Sequence, residues 1–123
     1  MIEARLTLPA DGAFALTARL FVASILRILG TDDGSVEDIK LAVSELCGAA
    51  AAAELPMPIE IRVTDQGGGA VVEFEGITTL EAAEAAHDET EEFARAYRLP
   101  LLQSLFPQMQ MVDGIVRIAI SAR

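Results

Sequence analysis

Ile2, Ala4, Leu6 and Leu8 alternate with polar neighbours, which predicts a half-buried strand over Ile2–Leu8. Pro9 to Gly12 interrupts it. From Phe14 to Leu29 the period changes to that of a helix, with Phe14, Phe21, Ile25, Ile28 and Leu29 along one broad apolar face and Gly30 as its terminator. Asp32 to Ser35 reads as a turn. Ser35 and Asp38 have the spacing of a capping pair for a second helix reaching about Glu54, where Pro56 and Pro58 forbid continuation. Ile59, Ile61 and Val63 then alternate with Glu60 and Arg62, and Ala70 to Phe74 forms a return strand after a turn at Asp65–Gly69. Thr78 with Glu81 resembles a capping box ahead of a helical region over Thr79–Tyr97, and Leu101–Phe106 is a short apolar helix. Met109–Val112 and Ile115–Ile120 flank Asp113-Gly114, the signature of a two-residue hairpin. The order β-α-α-β-β-α-α-β-β predicts an α+β fold, a two-layer sandwich of one mostly antiparallel sheet with helices on one face.

Composition narrows this picture. The 123 residues suit one domain spanning 1–123, and an apolar fraction of 52% is too high for a disordered chain. Net charge is −10, with no tryptophan and one tyrosine, which argues against nucleic acid and anionic membrane surfaces and favours a basic partner. Ala13 to Leu29 is short for a membrane span and is broken by Arg19 and Arg27, so a cytoplasmic location is expected. Cys47 is the single cysteine and is expected to be a buried, inert thiol. His87 has no second histidine or cysteine at ligand spacing, so no metal site is expected.

The segment Leu41–Cys47, LAVSELC, carries the most specific signal. Together with Ile77–Ala83 (ITTLEAA) and the Leu101–Ile120 tail, it resembles the GHKL, or Bergerat-fold, ATPase-like domains of the anti-sigma-factor serine-kinase family. The resemblance covers nearly the whole chain. It implies the histidine-kinase-like ATPase fold, with Glu45 in the place of the glutamate that assists the attacking group. It also implies an asparagine one turn later as the magnesium anchor, where this chain has Ala49, whose methyl offers no ligand to a hard cation.

The other boxes depart in the same direction. The aspartate that accepts the adenine amino group would fall on Phe74 or Glu75, with Gly76 as one surviving glycine. The phosphate-cradling glycines become Ala96 and Arg98, whose side chains obstruct close backbone approach. The Asp65–Gly69 run looks like the missing box but lies one element too early, so it reads as a hairpin turn. The resemblance also implies a partner-contacting arginine at Arg19, homodimerisation through the sheet edge and first helix, and a sigma factor or a STAS-domain anti-anti-sigma protein as partner. The expectation is a regulatory protein-binding domain, not a working enzyme, with Glu45 vestigial and no cofactor. The alternatives are an active Mg-ATP-dependent serine/threonine kinase acting on a STAS-domain protein, and a helper domain of a phosphorelay.

Overall fold

A computed structural model of the chain describes residues 2–52, 57–76, 100–112 and 114–121. Among these residues five strands form one antiparallel sheet: β1 (Glu3–Leu8), β2 (Ile59–Asp65), β3 (Gly69–Glu75), β4 (Gln110–Val112) and β5 (Ile115–Ser121). Their spatial order is β1-β2-β3-β5-β4. Helices α1 (Ala15–Ile28) and α2 (Asp33–Ala52) pack on one face, and a further helix, α3, runs over 100–105. The fold is α+β, as the alternation of periods predicts.

The period of two decides which residues meet the helices. Ile59, Ile61 and Val63 of β2, Ala70, Val72 and Phe74 of β3, and Val116, Ile118 and Ile120 of β5 share the inner face and are all buried. Against them lie Ala18, Val22, Ala23 and Leu26 of α1, and Val36, Ile39, Val43, Leu46 and Ala50 of α2. Leu102 of α3 is fully buried in the same core, with Phe106 and Met109 packed beside it.

Helix α1 departs from its predicted face. Phe14, just ahead of the helix, is 36% exposed and Ile28 is 71% exposed, while the small residues Ala18 and Ala23 line the buried side. The helix is apolar nearly all round, so periodicity alone does not locate the centre of its contact face. Its end follows the prediction. Gly30 takes φ 82°, its N–H donates to the Arg27 carbonyl, and the Thr31 N–H donates to the Leu26 carbonyl, closing a Schellman motif.

Helix α2 begins earlier than its capping pattern suggests. Asp32 is the cap: its Oδ1 accepts from the Ser35 N–H at 2.9 Å and its Oδ2 accepts from the Ser35 hydroxyl at 2.9 Å. Ser35 is therefore inside the first turn, not ahead of it, and the stretch read as a turn is already helical. The Asp65–Gly69 run is the β2–β3 hairpin connection. Asp65 Oδ1 accepts from the Gly67 N–H at 3.0 Å, and Gly67 takes φ 74°. Val112 pairs with Ile115, leaving a two-residue link to which Gly114 contributes φ 78°. The helical region expected over Thr79–Tyr97, with its acidic residues and His87, lies outside the described residues.

The outer face of the sheet is charged around Arg62, with Val71 and Ala119 as apolar neighbours further along it. Arg62 lies among three carboxylates, at 3.6 Å from Glu60, 3.8 Å from Glu73 and 3.2 Å from Glu75, and Arg5 pairs with Glu3 at 2.9 Å. Glu60 Oε1 is buried without a hydrogen bond, but two guanidinium groups, of Arg62 and Arg5, approach it at 3.6 and 3.9 Å. No described helix is long and apolar enough to cross a membrane.

Candidate functional site

Two regions flank α2. One faces the sheet and holds the positions that a nucleotide site of the resembled type would use. Ala49 is 2% exposed and belongs to the core cluster. Glu45, one turn before it, is half-buried. Phe74 and Glu75 are neighbours on β3 and therefore point to opposite faces. Phe74 lies on the inner face, fully buried, between Ile61 and Val116 in register. Glu75 lies on the outer face, away from α2, where it pairs with Arg62 at 3.2 Å. The Glu75 carboxylate thus reaches out on the wrong side of the sheet to meet anything held beside α2.

Gly76 has a local structural reason to be glycine. It takes φ 99°, and a Cβ there would come within 2.7 Å of the Pro58 carbonyl oxygen. Both the backbone conformation and the close approach require the missing side chain. Ala96 and Arg98 lie outside the described residues. Cys47 is buried on α2, and burial pushes its thiol up from 9.0 to about 11, so it stays protonated and unreactive at neutral pH. Among the described residues no group of three His, Cys, Asp or Glu side chains could hold a metal ion.

The second region lies on the solvent side of the α1–α2 pair. A cleft of about 340 Å³ is lined by Arg19, Glu37, Lys40, Leu41 and Ser44. The helices pack as an αα-hairpin joined by a short link, which places Arg27 of α1 3.9 Å from Glu37 of α2. Glu37 also holds Lys40, at 3.3 Å. Ser44 donates its hydroxyl to the Lys40 carbonyl one turn back, at 3.2 Å, so that hydroxyl is engaged within the helix. Arg19 differs from these. Its Nε is buried with no hydrogen-bond partner. A buried donor left unmade costs roughly 1–3 kcal/mol, more when charged, so such groups call for an explanation.

Leu41 is the apolar member of this lining. Leu16 and Leu20, one turn apart on α1, are 59% and 58% exposed, and Leu41 on α2 is 43% exposed. Sequence reasoning singled out Arg19 but missed Glu37, Lys40, Leu41 and Ser44. The available signal was Leu16 and Leu20, two large apolar residues at helical spacing around Arg19. The structure brings Arg19 together with these α2 residues and keeps it apart from Glu75 on the far side of the sheet. No protein-family model and no curated protein sequence matches this chain.

Proposed function

We propose that this chain is a regulatory protein-binding domain of the anti-sigma-factor type, acting in the cytoplasm by contact with a partner and without normal Mg-ATP binding. The GHKL resemblance of LAVSELC supplies the family reading, and a sigma factor or a STAS-domain anti-anti-sigma protein is the partner it implies. The observation that carries the loss of nucleotide chemistry is the packing around α2. Ala49 and Phe74 are core residues, and Glu75 is turned to the outer face. A methyl, a phenyl ring and a carboxylate on the far side of the sheet supply neither a magnesium ligand nor an acceptor for adenine.

The α1–α2 cleft supports the contact reading. Arg19 and Lys40 line it together with the exposed Leu41, a combination suited to a protein surface with both apolar and charged anchors. A homodimer is part of this proposal. Among the described residues β1 is an outermost strand with one unpaired edge, and Ile2 beside it is 48% exposed.

Titration calorimetry with Mg-ATP tests the first half. No binding heat is expected, and micromolar affinity would overturn the reading in favour of the active kinase. Co-purification from the source cell tests the second. Recovery of a sigma factor or STAS-domain protein, reduced by Arg19→Gln, is expected; recovery of neither class overturns the partner assignment.

A further inference from the structure

We propose that Lys40 is a site of acylation by small acyl phosphates, with Glu37 taking a proton from its amine and Arg19 drawing the donor's phosphate into the α1–α2 cleft. This chemistry goes beyond the contact reading above and does not depend on it.

Lys40 is the one lysine among the 123 residues. Its side chain is 23% exposed and lines the open cleft of about 340 Å³, where a small donor can reach it. Its Nζ donates to both carboxylate oxygens of Glu37, at 3.3 and 3.4 Å. A lysine ammonium is no nucleophile until it loses a proton, and Glu37 is in place to receive one. The same pairing also favours the charged amine. With Glu37 this exposed, that effect withholds about fivefold of the free amine at most, whereas a positioned base in an enzyme site contributes about a hundredfold or more. Assistance therefore outweighs the loss.

Arg19 decides the class of donor. Of the charged residues that line the cleft, Arg19 and Lys40 are cationic and Glu37 alone is anionic, in a chain of net charge −10. The cleft is thus a cationic spot on a surface that otherwise repels phosphate. An acyl phosphate joins an activated carbonyl to a dianion in one small molecule. Two other nucleophiles on α2 do not compete. Burial pushes the Cys47 thiol up to about 11, and the Ser44 hydroxyl donates to the Lys40 carbonyl at 3.2 Å.

In the reaction the Lys40 nitrogen bonds to the acyl carbon, and the bond from that carbon to the phosphate oxygen breaks. Of the two protons that the ammonium gives up, one passes through Glu37 to water and the other leaves on the phosphate as hydrogen phosphate. The product amide is neutral, so the cleft loses one cation and Glu37 keeps Arg27, at 3.9 Å.

The test incubates the full chain with millimolar acetyl phosphate and follows the acetyl label by intact mass and peptide mapping. Lys40 should label about tenfold faster than the same lysine in a blocked peptide of residues 36–44, which keeps Glu37 but has neither Arg19 nor the cleft. Glu37→Gln should slow labelling about fivefold and Arg19→Gln about threefold, and Lys40→Arg should remove the label from α2. With an uncharged acetyl thioester as donor, Glu37→Gln should still slow the reaction, while Arg19→Gln should leave it unchanged. Thermal melts check that the variants stay folded, and the comparison of native chain with peptide needs no variant. Labelling of Lys40 no faster than the peptide, or a rate unmoved by Glu37→Gln, would overturn the site. An equal effect of Arg19→Gln on both donors would overturn the choice of acyl phosphate.

Discussion

Phe74 and Glu75 are adjacent in the chain and belong to two different chemistries. Phe74 is fully buried among the aliphatic side chains of the inner face, whereas Glu75 sits on an outer face whose charges are arranged around Arg62. The inner face holds the molecule together through contact area. The outer face pairs its charges in partial contact with water, where each pair contributes little. One residue of register therefore decides whether a carboxylate could stand beside α2 or must face away from it.

The largest effect should come from the inner face. Phe74→Ala is expected to cost about 3–5 kcal/mol in urea unfolding, while Glu75→Gln next to it should change stability by less than about 1 kcal/mol. Equal costs would break the contrast between the faces. Cys47 sharpens it through pH. Burial holds the folded thiol at about 11 against 9.0 unfolded, so the folded state binds its proton more tightly. Its contribution is complete below pH 9 and falls as pH rises toward 11, so that about 2–3 kcal/mol is lost by the end of that window. Comparing wild type with Cys47→Ala isolates this slope from the other groups titrating there, and identical pH profiles would show that the thiol is not desolvated. The smallest effect belongs to the outer face. Arg62→Gln should cost about 1 kcal/mol and less in high salt, read from the same urea midpoints; a cost insensitive to salt would mean that the guanidinium acts by packing.

The alternating segments made the strands legible in the sequence to within a residue or so, because a period of two with apolar Ile, Val and Leu leaves little choice of face. The start of α2 was less legible. Ser35 with Asp38 and Asp32 with Ser35 are both three residues apart, and only the hydrogen bonds show that Asp32 is the cap. The placement of the acceptor at Phe74 or Glu75 was undecided in the sequence, because it depends on where a short deletion is set; the face each residue takes is fixed by pairing with β2 and β5, which are distant along the chain. Arg19 could be proposed from resemblance alone, but the burial of its Nε and its neighbours Glu37 and Lys40 exist only once α1 and α2 pack. The positions Ala96 and Arg98 stay as sequence readings.

The pairing of β1 with β2 has a consequence for how the chain folds. Leu8 lies opposite Ile59, and everything between them is the two helices and their connections. Bringing these strands together across an open coil carries a loop-closure cost, whereas the α1–α2 hairpin can form from contacts local in sequence. Once formed, that hairpin shortens the effective distance between the strand ends. The Schellman turn at Gly30 and the Asp32 cap, which settle where one helix stops and the next begins, therefore act early. Changes there should slow folding more than they speed unfolding, whereas late-forming sheet contacts should show the opposite balance.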